Sequence, residues 1–162
     1  MFDSRLFRVS GSDLLENTLP DEPSWRVEDS ARLANLIAEH GVDLIDISAG
    51  GVHPSQELRL RSVDGRPTAY QAYLAKHVRD AVNGKILVGT VGGINNGHLA
   101  EEVLDNGSAD VVFVGRHFQK NPGAVWQFAE ELGVVITQAH QIEWGFIGRG
   151  VGRPKKSTGQ KL

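Results

Sequence analysis

The chain has 162 residues, of which 40% are hydrophobic and 23% charged, a balance typical of a globular protein and not of a disordered one. It has no cysteine, which excludes disulfides and thiol chemistry, and no apolar run long enough to span a membrane. The net charge is −3, and because the tail from residue 148 contributes +5, the rest carries −8, which argues against a nucleic-acid partner.

The first eight residues carry charges and no long apolar stretch, so a secretory signal is not expected. Together with the absence of cysteine, this start predicts a cytoplasmic protein without a membrane partner.

The first part of the chain alternates between strand-like and helix-like periodicity. Residues 6–10 predict a short strand that ends in a turn, and residues 14–23 a loop. Apolar residues recur at helical spacing over residues 25–40, and Gly41 fits the left-handed stop after a helix. The next predicted strand covers residues 42–48.

The same alternation continues beyond a glycine- and proline-rich loop over residues 49–67. Four apolar residues at i, i+4 spacing predict a second helix: Tyr70, Leu74, Val78 and Val82. A third strand covers residues 86–91, and Asn95 or Asn96 can cap a third helix that ends at Gly107.

The fourth unit begins with a strand over residues 111–115. Asn121 and Pro122 predict the cap and the first position of a fourth helix, which Gly133 ends. Four successive β/α units indicate a parallel sheet covered by helices. A doubly wound open sheet and part of a β/α barrel both fit, whereas a closed eight-stranded barrel needs about 250 residues.

Two glycine-containing clusters follow the third and fourth predicted strands: Gly92-Gly93 and Gly115-Arg116. Loops after the last two strands of β/α barrels frequently bind phosphate, because glycine lets backbone N–H groups approach anionic oxygens closely. Arg116 could add a charge-assisted hydrogen bond. The alternative interpretation is that these glycines only shape tight turns between strand and helix.

Four segments on the predicted strands carry an ordered set of motifs. They are residues 8–13 (RVSGSD), 41–48 (GVDLIDIS), 88–94 (VGTVGGI) and 109–116 (ADVVFVGR). In order and spacing they resemble the old yellow enzyme family of NADH:flavin oxidoreductases, and the resemblance extends over residues 5–145.

The resemblance implies an α/β fold, the C-terminal half of a TIM (β/α)8 barrel with about four parallel β/α units. Residues 1–147 would form strands five to eight of the family fold, and residues 148–162 a basic flexible tail. The implied cofactor is FMN, with NAD(P)H as reductant and an activated alkene as the small-molecule substrate.

The family's cofactor contacts carry over to five positions of this sequence. Arg8 would lie near the flavin pyrimidine ring, where a cation stabilises negative charge on the reduced flavin. Gly92 and Gly93 would border the phosphate, and Gly115 with Arg116 would hold it.

No catalytic residue is predicted, because in the family the His-His or His-Asn pair that binds the substrate follows the fourth strand of the full barrel, and this chain matches strands five to eight. No metal-binding residue is predicted either. Two functions therefore stay open: an FMN-dependent oxidoreductase that reduces enones, or a truncated, inactive half-barrel that binds FMN phosphate weakly or only mediates interactions. Unpaired edges on the first and fourth strands predict a homo-oligomer or pairing with a missing N-terminal half.

Other polar residues are interpreted as structural. Asp43 and Asp46 lie three apart on a strand, so their side chains face opposite sides of the sheet and cannot act as an acid–base pair. Tyr70 and Gln71 are expected to open the second helix. His117 could touch the phosphate region, but no spacing around it supports metal binding.

Overall fold

The computed structural model describes residues 4–51, 53–59 and 62–147, and the basic tail predicted for residues 148–162 lies outside these ranges. The strands are β1 (Leu6–Ser10), β2 (Leu44–Ser48), β3 (Ser62–Val63), β4 (Arg66–Pro67), β5 (Leu87–Val91) and β6 (Val111–Phe113). The helices are α1 (Val27–Glu39), α2 (Ala72–Val82), α3 (Gly97–Asp105), α4 (Arg116–Lys120), α5 (Ala124–Glu131) and α6 (His140–Ile147).

The main sheet of the described residues has four strands in the order β1-β2-β5-β6, and every neighbouring pair is parallel. This order follows the chain and does not reverse. Because crossovers between parallel strands are right-handed, such an order places the connecting helices on one face. A doubly wound sheet reverses its strand order and carries helices on both faces. The architecture is therefore that of a partial β/α barrel.

The hydrophobic core lies between this sheet and helices α1 to α3. The strand side chains Ile45, Ile47 and Val88 are fully buried. They belong to one cluster with helix residues that include Ala34, Leu74, Ala75, Val78, Val82 and Val103. Each fully buried aliphatic side chain of this size stabilises the fold by about 1.5–3 kcal/mol.

The opposite face of the sheet, here called the inner face, is only partly covered. Side chains alternate along each strand, so Leu6, Arg8, Asp46 and Leu87 all lie on this face. Leu6 is 57% exposed and Leu87 51%. Strands β1 and β6 each have one edge without a strand partner among the described residues. In a closed barrel this face would point inwards and both edges would be paired.

The helix that follows β6 differs from the sequence prediction. The side chain of Asn121 accepts a hydrogen bond from the Gly123 N–H at 3.0 Å and closes a turn, so α5 begins at Ala124 and Pro122 precedes it. Helix α4 was not predicted because its five residues are too few to show helical periodicity. For α3, Asn96 is the cap: its Oδ1 accepts from the Leu99 N–H at 2.9 Å.

None of the helices in the described part of the chain has both the length and the apolar run that a membrane crossing requires.

Candidate functional site

A cavity of about 390 Å³ opens at the carboxyl ends of β5 and β6. Four of the five predicted cofactor residues line it together: Gly92, Gly93, Gly115 and Arg116. Lys120 from α4 also lines the cavity. Arg116 and Lys120 thus give it two positive charges, which suits a ligand with a phosphate group.

The turn after β5 requires glycine at both positions. Gly92 and Gly93 have φ angles of 110° and 80°, which side-chain-bearing residues rarely adopt. A Cβ at Gly93 would overlap the carbonyl oxygen of Thr68, and one at Gly92 would lie 3.1 Å from the ring of Tyr70. Both sequence interpretations therefore describe this turn: the glycines shape it, and it lines the cavity.

Gly115 stands in a different environment. A Cβ built on Gly115 has no atom within 4 Å, so the open space of the cavity rim lies beside it. The absence of a side chain at Gly115 leaves the backbone accessible from the cavity and relieves no packing conflict.

Tyr70 contributes to the site by positioning Arg116. The Arg116 Nη2 group donates a hydrogen bond to the Tyr70 hydroxyl at 3.3 Å. Tyr70 is buried and its ring packs beside the Gly92-Gly93 turn, whereas Arg116 is exposed. The residue interpreted from sequence as structural therefore also orients a cation of the site. No sequence signal links two residues 46 positions apart.

The N-terminus of α3 lies close to the cavity, but two of its N–H groups already have side-chain partners. Asn96 accepts from the Leu99 N–H, and the Glu131 carboxylate of α5 accepts from the Gly97 N–H at 2.5 Å. The Gly97 N–H, followed by the Gln127 side chain, lowers the pKa of the Glu131 carboxyl. The cations that line the cavity are therefore the groups best placed to meet an anion: Arg116 and Lys120.

Arg8 does not line the cavity and lies beside it on the inner face. Its Nε donates a hydrogen bond to the carboxylate of Asp46, the residue opposite it on β2. The guanidinium carbon lies 5.7 Å from the centre of the Phe113 ring, a cation–π distance. Phe113 itself lines the cavity, so it connects Arg8 with the other four predicted residues.

Asp46 is a second residue beside this site that the sequence analysis interpreted as structural. Its side chain is 0% exposed, and its Oδ1 has no hydrogen-bond partner among the described residues. Burial raises the pKa of the Asp46 carboxyl, although the hydrogen bond and the charge of Arg8 lower it. The register of β1 and β2 places Asp46 beside Arg8, and the sequence alone does not specify this register.

Within the described ranges, no group of three or more His, Asp or Glu side chains is arranged to hold a metal ion. His117 lines the cavity, where its Nε2 lies 3.0 Å from the side-chain oxygen of Gln127.

Fold and cavity together define the class of the protein: an α/β protein whose partial barrel carries a cation-bordered cavity at the carboxyl ends of its last two strands. Solved structures agree with this fold. DHODH from Eimeria tenella, described as the ligand-free type, covers 78% of this chain with a TM-score of 0.52, 18% identity and 34% of its own length. The complex of DHODH with ferulenol covers 79% of this chain with a TM-score of 0.50, 17% identity and 33% of its own length. These TIM-barrel neighbours confirm the predicted partial barrel.

No family model matches the chain, but curated proteins are similar to it in sequence. An NADH:flavin oxidoreductase of Gibberella zeae is 49% identical over 156 residues, which are 94% of this chain and 37% of the relative. NADPH dehydrogenases of Geobacillus sp. and Geobacillus thermodenitrificans are each 38% identical over 147 residues, or 90% of this chain and 39% of theirs.

These relatives confirm the resemblance drawn from the motifs: the chain is similar to curated NADH:flavin oxidoreductases and NADPH dehydrogenases of the old yellow enzyme family. The chain spans less than two fifths of the length of the curated relatives that it matches.

Proposed function

We propose that this chain supplies the FMN-binding part of an NAD(P)H-dependent flavin oxidoreductase that reduces activated alkenes. The observation that carries the proposal is that Gly92, Gly93, Gly115 and Arg116 line one cavity at the carboxyl ends of β5 and β6. Active sites of β/α barrels lie at this end of the sheet. The names of the curated relatives support the class of reaction.

The residues present fit FMN at both of its polar ends. Arg116 and Lys120 would hold the phosphate in the cavity, and their charges would balance its negative charge. Arg8, on the neighbouring inner face, would donate hydrogen bonds to the pyrimidine ring. Phe113 lies between the two ends, because it lines the cavity and carries the Arg8 guanidinium over its ring.

FMN, when bound, supplies the hydride transfer, and the protein's part is to bind it, orient it and tune its charge. Arg116 and Lys120 anchor the phosphate and so fix where the ring lies. Arg8 places a positive charge beside the ring, which favours the form that carries an additional negative charge. No residue of this chain is assigned a role in gripping the alkene.

The phosphate contact is tested by replacing Arg116 with alanine. We expect Arg116→Ala to weaken FMN binding about tenfold or more, because one charge-assisted hydrogen bond is lost. Binding of riboflavin, which lacks the phosphate, should not change. Both affinities are measured by quenching of flavin fluorescence. The control is Arg32→Ala on α1, because the Arg32 side chain is 79% exposed and is not among the residues that line the cavity. Equal FMN affinity in Arg116→Ala and the wild type would remove Arg116 from the phosphate site.

A second candidate function is favoured by the open sheet. Strands β1 and β6 offer unpaired edges within the described region, and Leu6 and Leu87 are exposed on the inner face. A chain of this kind could bind FMN phosphate weakly without turnover and pair with another chain. Oxidation of NADPH in the presence of FMN and an activated enone separates the two functions. Turnover supports the oxidoreductase, whereas flavin binding without turnover supports the non-catalytic half-barrel.

A further inference from the structure

We propose that Asp46 is a positioning residue for Arg8. It holds the arginine by Nε over the ring of Phe113, so that the two terminal amino groups stay available on the inner face for the carbonyl and ring nitrogen of a flavin pyrimidine. The naming of a flavin as the ligand rests on the proposed function. The positioning of Arg8 by Asp46 rests only on the contacts that Arg8 makes in the structure.

The Arg8 guanidinium is held by two contacts: a hydrogen bond from Nε to Asp46 and a cation–π contact with the Phe113 ring. It has five N–H donors in a fixed plane, and the bond to Asp46 uses the one on Nε. The Phe113 ring lies 5.7 Å from the guanidinium carbon. The Arg8 side chain is still 56% exposed, so its remaining donors are accessible on the inner face. Such a side chain is preorganised, and a ligand that binds it does not have to order it.

Gly89 makes room for this arrangement. In the register of the sheet, Arg8 lies opposite Asp46, and Asp46 opposite Gly89. A Cβ on Gly89 would overlap the ring of Phe113, so the ring occupies the space that a side chain at position 89 would fill. The missing side chain therefore lets the aromatic ring lie next to the ion pair.

A second arginine–aspartate pair in the same fold shows what a structural pair looks like. Arg79 Nε donates to Asp110 Oδ1 at 2.8 Å, and the Val88 N–H donates to Asp110 Oδ2 at 2.9 Å, so both carboxylate oxygens are bonded. Asp46 is fully buried, yet only one of its oxygens has a partner among the described residues. A buried carboxylate with an unbonded oxygen costs stability. This cost indicates that Asp46 serves the placement of Arg8 and not the stability of the sheet.

The first experiment compares Asp46→Asn with the wild type for FMN and riboflavin binding. Asparagine has the same shape and removes the charge that fixes Arg8. We expect both flavins to bind about three- to tenfold more weakly, the cost of ordering one long side chain at each binding event. The melting temperature at neutral pH should stay the same or rise, because a buried charge is removed. The control is Asp43→Asn. In the wild type, the Asp43 carboxylate, just before β2, accepts a hydrogen bond from the Arg5 backbone N–H.

A double-mutant cycle tests whether Asp46 acts through Arg8. In an Arg8→Gln background, Asp46→Asn should have no further effect on either affinity. An equal loss in that background would overturn the inference, and so would unchanged affinity in the single variant. Loss of affinity together with a lower melting temperature would assign Asp46 a structural role. Should Asp46→Asn not fold, Arg8→Lys replaces it: a lysine retains the charge without the planar fork, and affinity equal to the wild type would overturn the inference.

The second experiment needs no flavin. Hydrogen exchange of the arginine Nε–H groups, followed by nuclear magnetic resonance, reports whether Arg8 is held. We expect the Arg8 signal to exchange slowly, like that of Arg79, and to exchange faster in Asp46→Asn. Exchange as fast as that of Arg32, whose bond to Asp29 uses Nη1, would overturn the inference. If the wild type binds neither flavin, the proposed function and the ligand named here both fall, and this exchange rate alone decides the positioning of Arg8.

Discussion

Individual glycines determine the shape of the cavity, and among them Gly93 tolerates substitution least. It combines a φ of 80° with a position at which any Cβ would overlap the Thr68 carbonyl oxygen. We expect Gly93→Ala to lower the free energy of unfolding by more than about 2 kcal/mol, because backbone strain and a steric conflict add.

A matched variant separates the two causes. Gly133 has a φ of 65° and no atom within 4 Å of a built Cβ, so Gly133→Ala carries the strain without the conflict. Gly133→Ala should therefore lower the free energy of unfolding by about 1–2 kcal/mol. Urea unfolding of both variants measures the difference. Equal losses would show that the Thr68 carbonyl moves aside, and that packing at the turn does not restrict position 93.

At the same scale, the sequence predicted four residues that line one cavity, but not the residues that contact and hold the arginines. Gly92, Gly93, Gly115 and Arg116 stand in motifs directly after strands, so their meeting at one end of the sheet was predictable. Tyr70 and Asp46 act on arginines 46 and 38 residues away. Such contacts depend on the strand register and on side-chain packing, which a single sequence does not specify.

Among the secondary structure elements, α3 and α5 are joined by one charged contact. The Glu131 carboxylate of α5 accepts from the Gly97 N–H of α3 and from the Gln127 side chain, and His98 and His117 lie near enough to favour its charge. The pKa of the carboxyl is lower in the folded chain than its ordinary value of 4.5. Glu131 therefore stabilises the fold above that value, and the contribution is lost as the pH falls through the lowered pKa.

We expect Glu131→Gln to lower the melting temperature near neutral pH. At acid pH, where Glu131 is protonated, the variant and the wild type should have the same melting temperature. Thermal unfolding at a series of pH values measures this. The control is Glu130→Gln, the exposed neighbour on the same helix, which should leave the melting temperature unchanged at every pH. A constant difference between Glu131→Gln and the wild type across the acid range would contradict the role of the charge.

The regular elements were more predictable than their boundaries. Apolar strands separated by amphipathic helices gave the order of β1, α1, β2, α2, β5, α3 and β6, since burial requires these patterns. The turn at Asn121 shows why ends are harder. Asparagine before proline is a common start of a helix, but here the asparagine side chain bonds Gly123 and delays α5 until Ala124.

For the whole molecule, the open sheet predicts association. We propose that the edges of β1 and β6 pair with further strands, either in a second copy of this chain or in a separate segment equivalent to the remainder of the relatives. Two copies related by a two-fold axis along the barrel would keep all strands parallel and pair β6 of one copy with β1 of the other.

Sedimentation velocity tests this association with the purified chain. We expect a dimer or larger species, because the strand edges that have no partner in the described part of the chain, and the exposed Leu6 and Leu87, would otherwise face water. A charged variant, Leu87→Lys, should shift the distribution towards the monomer, whereas Leu36→Lys on α1, where the leucine is also exposed, should not. A monomeric wild type across the accessible concentration range would contradict both forms of pairing.

The strand order of the sheet has a consequence for how the protein behaves in a cell. A barrel closed within one polypeptide has a stability independent of its concentration, since all the strands that pair belong to the same chain. A sheet completed by another chain obeys mass action, so its folded fraction rises with the amount of partner present. On the proposed pairing, the abundance of this protein would itself control how much of it is folded.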